Sequence, residues 1–215
     1  MSITATELKL NLGKYLKLAE HEDIFITRNG KVVAKLSNPN ADRTEMAKSL
    51  LSVIPSDIPS RRNTERKDLQ NMKVLIDTCV IVDILQKREP FYQVAMEILL
   101  AISNRKCTGV LTAKSITDIY YILRRGIHNE GEVRRLVRIL FTLFEVEDTF
   151  STDCEVALDS LIKDYEDAIM VQTASRIGAD CIVTRNLKDY KLSSLPVFSP
   201  EQFLTKLAEE ENIEE

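Results

Sequence analysis

Apolar positions along the chain follow two rhythms, and the change from one to the other divides it. Thr4 and Glu7 stand at S/T-x-x-E spacing, the signature of a reciprocal capping box. Leu8, Leu12, Tyr15, Leu16 and Ala19 then recur every three or four residues, which predicts one amphipathic helix of about four turns. Residues 24–27 and 32–36 read as short strands around Arg28-Asn29-Gly30-Lys31. Asn-Gly predicts a tight hairpin there, since both central residues must take positive φ. A helix and a hairpin in so short a stretch bury little surface, so this unit is expected to dimerise.

Between residues 37 and 71 the rhythm lapses. Asn38-Pro39-Asn40 marks a turn, and Met46, Leu50, Leu51 and Ile54 fall on one side of a short helix. Pro55, Pro59 and the polar run 60–71 follow, with Arg61, Arg62, Arg66 and Lys67. Composition alone reads this as a flexible linker. The alternative is an arm that orders only when laid on another surface.

From Lys73 short apolar strands alternate with helices. The strands are 74–76, 108–112, 179–185 and a short 197–198. Helical patterns cover 80–85, 91–102 (with Pro90 in its first turn), 114–125, 130–144, 153–161, 167–177 and 200–211. The fold class is therefore α/β, a parallel sheet with helices on both faces, preceded by a small α+β helix–hairpin unit and an extended arm. The domains are expected at 1–40, 41–71 and 72–215.

A net charge of -4, with 44% apolar and 29% charged residues, is that of an ordinary globular protein and argues against coating nucleic acid by charge alone. A local basic patch or a metal-filled acidic cleft stays open. Cys79, Cys107, Cys154 and Cys181 form no CxxC pair and read as reduced thiols in a cytoplasmic protein. Residues 3–22 are amphipathic, unlike a signal peptide, and no apolar run approaches a membrane span.

In parallel α/β sheets, ligands gather beyond the carboxyl ends of the strands. Asp77 stands there after the first strand, and Asn186 and Asp189 stand there after 179–185. Asp118 lies a turn into the helix after the second strand, and Asp167 opens the helix before the third. Carboxylates that converge raise one another's pKa, and a divalent cation removes that conflict. Mg²⁺ favours one or two direct carboxylates plus water and phosphate, and it acidifies bound water. Each acid also has a plainer role: Asp77 as a helix N-cap, Asp118 and Asp167 as solvated helix residues like Asp164 and Glu166. Asp83 is expected further along its helix, away from the metal. The absence of a G-x-x-x-x-G-K loop, and only two histidines, His21 and His128, argue against a phosphate loop, a His-based triad or a zinc site.

The blocks VLIDTCVIVDILQKREPFY, TAKSITDIYYILRR, DYEDAIMVQTASRIGADCIVTRNLKDY and SPEQFL resemble, in order, those of PIN domains over residues 72–207. The resemblance implies a Mg²⁺- or Mn²⁺-dependent endoribonuclease, of the kind that forms the toxin of VapBC-type toxin–antitoxin pairs. It implies a catalytic set of Asp77, Asp118, Asp167 and Asp189, with Asp77, Asp167 and Asp118 on the metal. Asp118 stands where many relatives carry Glu, and a shorter acid there holds metal through water. Thr184 resembles the hydroxyl that orders this corner. Asn186 stands where relatives often carry Asp, leaving Asp189 or the Asn186 carbonyl as the fourth group.

At the front, ITATELKLNLGKYLKLAEHEDIFITRNGKVVAKL resembles Phd/YefM-type antitoxins over residues 1–40. That resemblance implies a homodimer or higher oligomer that binds operator DNA and lays an arm over the toxin. Lys9, Asn11, Lys14, Arg28 and Lys31 are the implied DNA contacts, with solvated surface charge as the alternative. Lys9 stands where the family commonly has Arg, which gives up bidentate pairing. Met72 falls where a separate toxin would begin, so the chain reads as antitoxin and toxin joined. Residues 44–70 would then lie in a groove of the PIN domain, anchored by Met46, Leu50, Leu51 and Ile54. Arg61, Arg62 or Arg66 would point at Asp77 and Asp167 as the inhibitory arm. Two other readings stay open: a DNA-binding autorepressor with an inert PIN domain, and an aspartyl phosphotransferase using Asp77. Against the latter, Cys79 stands where such enzymes carry a second Asp.

Overall fold

The computed structural model describes residues 1–19, 22, 24–28, 30–37, 43, 47 and 72–213. Within it the chain forms two compact units, 1–46 and 47–215. The arm residues singled out above (Met46, Leu50, Leu51, Ile54, Arg61, Arg62 and Arg66) lie outside the described residues.

The first unit runs β1 (Ser2–Thr4), α1 (Ala5–Leu10), α2 (Leu12–Ala19), β2 (Ile24–Arg28) and β3 (Lys31–Leu36). The expected hairpin is there: Arg28 pairs with Lys31, and Gly30 takes φ 74° in the turn. Two features differ from the sequence pattern. A short β1 adds itself parallel to β2, giving a three-stranded sheet in the order β1-β2-β3. The single helix breaks at Asn11, whose N–H bonds back to the Glu7 and Leu8 carbonyls. Asn followed closely by Gly13 is a weak helix interior, so the break falls where propensity is lowest. The capping box forms by half. Thr4 Oγ1 accepts from Glu7 N at 3.1 Å, but the Glu7 carboxylate accepts from the Tyr15 hydroxyl instead of returning to the cap. Ile3, Tyr15, Ala19 and Ile24 make a small core, while Leu12 and Leu16, expected on the same stripe as Tyr15, stay exposed.

The second unit contains β4 (Lys73–Ile76), α3 (Thr78–Gln86), α4 (Tyr92–Ser103), β5 (Thr108–Thr112), α5 (Ala113–Gly126) and α6 (Glu130–Leu143). It continues with β6 (Glu145–Glu147), α7 (Ser151–Ala157), α8 (Tyr165–Arg176), β7 (Cys181–Val183), β8 (Val197–Phe198) and α9 (Pro200–Ile213). All strand pairs are parallel, in the order β6-β5-β4-β7-β8. Side chains on successive strand residues point to opposite faces. Val74 and Ile76 accordingly join one core with Leu111, Val183 and the inner sides of α3 to α6 and α9, while Leu75 joins a second with Val110, Ile182 and α8. Each fully buried Leu, Ile or Val contributes about 1.5–3 kcal/mol to holding these layers together. Gly109 is required where the first layer is tightest: a Cβ there would sit 2.6 Å from Ile102 Cδ1 and 2.9 Å from Phe144 Cδ1. Pro90 was expected inside the first turn of α4, yet that helix begins at Tyr92 with Phe91 as its cap, so Pro90 belongs to the preceding turn. β6 is Glu-Val-Glu, a single apolar residue between two acids directly after α6, too short a run for the sequence pattern to reveal it.

Candidate active site at the carboxyl edge of the sheet

The chain lays down β4, β5 and β6 outward on one side, then returns to place β7 on the other side of β4. The split between β4 and β7 is thus the topological switch point, where open parallel sheets bind ligands. Asp77 leaves β4 there. Its N–H donates to the Val183 carbonyl at 3.0 Å, and its carboxylate does two jobs. Oδ1 accepts from Cys79 N at 3.3 Å and caps α3, while Oδ2 accepts from Thr184 Oγ1 at 2.6 Å and from Cys79 Sγ at 3.3 Å. The N-cap and the edge position foreseen as alternatives for Asp77 coexist. Thr184 is wholly buried, and its Oγ1 also accepts from Asn186 N at 3.0 Å, which turns the chain across the edge.

Helix α8 runs into β7, so its N-terminal end lies at the same edge. Asp164 caps it, accepting from Glu166 N at 2.9 Å and Asp167 N at 3.3 Å. Asp167 stands in the first turn, and burial pushes its carboxyl up to about 6. Asp77, Asp164 and Asp189 add to that rise by like-charge repulsion, while a hydrogen bond with Tyr190 opposes it. Tyr190 is buried, and its hydroxyl also reaches Met170 Sδ at 3.4 Å. Burial and the Asp77 and Asp167 charges keep that phenol protonated by raising its pKa. The Asn186 carboxamide donates to Asp189 Oδ2.

Asp118 sits differently. Lys114 Nζ donates to Asp118 Oδ2 at 2.7 Å and lies 3.5 Å from Glu166 Oε2, one residue before Asp167. The structure therefore brings Asp77, Asp167, Asp189, Thr184 and Asn186 to one edge, with Asp118 tied to it through an ion pair. Asp164 and Glu166, read as solvated acids, are exposed but engaged, one as a cap and the other with Lys114. Asp83 is wholly buried and ion-paired to Arg185, whose guanidinium lies 4.1 Å from the Phe91 ring centroid. Burial raises the Asp83 carboxyl, with Arg185 and Arg88 opposing.

Lys114, Tyr190 and the Cys79 thiol escaped the sequence reading. Lys114 stands four residues before Asp118 on a helix, a spacing that signals an ion pair. No periodicity points to Tyr190. The Cys79 thiol is pushed up to about 12 by burial and by Asp77, so it stays a hydrogen-bond donor. All four cysteines are free.

Among the described residues, no group of three or more His, Cys, Asp or Glu side chains is disposed to hold a metal ion. The carboxylate oxygens that do converge are the hard oxygens Mg²⁺ and Mn²⁺ prefer, and Mg²⁺ needs only one or two direct carboxylates. The Asp77–Asp167 pair, with its mutual repulsion, fits such an ion. In the first unit Lys9, Asn11, Lys14, Arg28 and Lys31 are all exposed, with Lys14 Nζ 5.5 Å from the Tyr15 ring centroid. No described helix is long and apolar enough to cross a membrane.

A family model described as PIN domain matches residues 73–188, and the chain belongs to that family. Among solved structures it is similar to VapBC2 from Rickettsia felis bound to a DNA fragment from its promoter, at 17% identity over 60% of this chain and 98% of that chain, with TM-score 0.45. It is also similar to a toxin–antitoxin complex from Klebsiella pneumoniae, at 22% identity over 59% and 97%, TM-score 0.45. VapBC-1 from nontypeable Haemophilus influenzae is similar at 16% identity over 60% and 99%, TM-score 0.46. No curated protein matches.

Proposed function

We propose that residues 72–215 form a Mg²⁺- or Mn²⁺-dependent endoribonuclease and that residues 1–71 are its antitoxin, binding operator DNA as a homodimer and holding the nuclease silent. The observation that carries the nuclease half is the Asp167 carboxyl, raised to about 6 by burial and by three neighbouring acids at the switch point of the sheet. Unpaired, converging carboxylates are costly unless a cation joins them. A divalent ion bound there supplies charge neutralisation and an acidified water for attack on an RNA phosphodiester. Asp77 and Asp167 would hold it. Thr184 and Cys79 hold the Asp77 carboxylate in one orientation. Tyr190 restrains Asp167, and Asn186 aims Asp189.

Two observations support the antitoxin half. Ala47 is wholly buried within the first core layer of the nuclease unit, as a docked arm requires. In the N-terminal unit Leu10, Leu12, Leu16, Val32 and Val33 remain exposed, as a dimer-forming surface requires. Arg61, Arg62 and Arg66 then stand in for the cation at Asp77 and Asp167, and Lys9, Asn11, Lys14, Arg28 and Lys31 meet the DNA.

The test is RNA cleavage by a chain beginning at Met72, with and without Mg²⁺, against the whole chain. The shortened chain should cleave only with the ion and faster than the whole chain. Asp77→Asn and Asp167→Asn should each lower the rate by on the order of 10²–10³-fold. A shortened chain no more active than the whole one removes the inhibitory role of the arm. No cleavage by any chain favours a second reading, an operator-binding autorepressor with an inert PIN domain. Asn186 in place of a carboxylate, and the lack of a three-donor group among the described residues, are the observations on its side.

A further inference from the structure

Lys114 occupies a position the nuclease reading leaves unused. Helix α5 follows β5 and helix α8 leads into β7, so the first turn of α5 and the first turn of α8 both lie at the carboxyl edge of the sheet. Lys114 spans them: its Nζ is 2.7 Å from Asp118 Oδ2 on its own helix and 3.5 Å from Glu166 Oε2 on the other. Its side chain is only 29% exposed, so the ammonium is partly withdrawn from water beside two carboxylates. Asp118 thereby already has a cationic partner. The acids whose charge bears on Asp167 are Asp77, Asp164 and Asp189. The edge thus divides into a carboxylate group without a described cation and an Asp118 that has one.

We propose that Lys114 fills, as a tethered cation, the place that a second divalent ion would take beside Asp118, so that this site loads one ion, on Asp77 and Asp167. The inference rests on the nuclease reading and removes Asp118 from the ligands. The Lys114 ammonium is permanently present, and its charge lies next to the helix that carries Asp167.

The experiment is Mn²⁺ titration of the full chain, with Arg61→Ala, Arg62→Ala and Arg66→Ala so that the arm cannot compete, read by calorimetry and by counting bound ions with electron paramagnetic resonance. This chain should bind one Mn²⁺. Adding Asp118→Asn should leave that affinity within about twofold, because Asp118 is not a ligand. Adding Lys114→Met, which keeps the stem and removes the charge, should admit a second ion or tighten Mn²⁺ binding by roughly tenfold. Two ions bound before Lys114 is changed, or loss of binding on Asp118→Asn, overturns the inference and leaves the nuclease reading standing. So does a Lys114→Met titration identical to its parent, which reduces the pair to a surface contact. If no chain takes up Mn²⁺, or if Asp77→Asn binds as well as its parent, the nuclease reading itself falls.

Discussion

Helix α8 meets an aspartate cluster at its N-terminal end and, through Arg176, the buried Asp153 of α7 at its C-terminal end, and the two are treated in opposite ways. At its C-terminal end Arg176 Nε donates to Asp153 Oδ1 at 2.9 Å, while Thr173 Oγ1 and Phe150 N donate to Asp153 Oδ2 at 3.2 and 2.9 Å. The same guanidinium covers the Phe150 ring at 4.0 Å, locking α7 onto α8. Burial alone would push the Asp153 carboxyl up, but Arg176, the Phe150 amide and Thr173 more than offset it, and the group sits below its ordinary value. At the N-terminal end Asp167 is also partly buried, yet its neighbours are Asp77, Asp164 and Asp189, and its carboxyl is raised to about 6. A structural carboxylate arrives with its counter-ion. One left among like charges marks a place built for something else, at a cost to the fold.

The comparison can be broken from either end. Asp153→Ala leaves Arg176 without its buried partner and should cost about 3 kcal/mol in chemical denaturation, somewhat below a fully buried pair because Arg176 is partly exposed. A loss under about 0.5 kcal/mol would mean that the pair is not the lock between α7 and α8.

Asp167 should show the reverse sign. Its folded pKa, about 6, is raised from 3.8, so the folded state holds the proton more tightly than the unfolded chain. The stability this contributes is present at low pH and is lost as pH rises from about 4 to about 6. Metal-free Asp167→Asn should therefore be more stable than its parent at pH 7, by about 1–2 kcal/mol after discounting for solvent screening, with the gap closing near pH 4. A variant less stable at both pH values would show that Asp167 is a structural acid like Asp153.

Thr173→Val is the smallest test. It keeps the shape while removing the hydroxyl that donates to Asp153, and should cost about 1 kcal/mol in thermal or urea unfolding. No change would assign the low Asp153 pKa to Arg176 and the Phe150 amide alone.

Much of the architecture was legible in the chain because it depends on local periodicity. The strand 108–112 appears as β5 (Thr108–Thr112), and the expected hairpin appears, with Arg28 paired to Lys31 and Gly30 at positive φ. The alternation of strands and helices translates directly into a parallel sheet covered on both faces. Asp77 was readable for the same reason, since it ends a short apolar run. What local pattern could not supply was pairing. Glu7 satisfies Tyr15 rather than its own cap, β1 exists only because β2 offers it an edge, and the three-residue β6 is a strand only because β5 lies beside it.

The site divides along the same line. Residue type and spacing in the sequence by itself determined that acids would follow β4 and β7 and would open α8, because strand ends and helix starts are local events. Packing in three dimensions decided that Asp153 meets a counter-ion while Asp167 is left among like charges. Arg176 reaches Asp153 across 23 positions, whereas Lys114 takes Asp118 from four residues away and meets Glu166 only where α5 and α8 come together. Coulomb interactions depend on distance in space and on exclusion of water, and both are set by how helices pack on the sheet rather than by the order of residues along it.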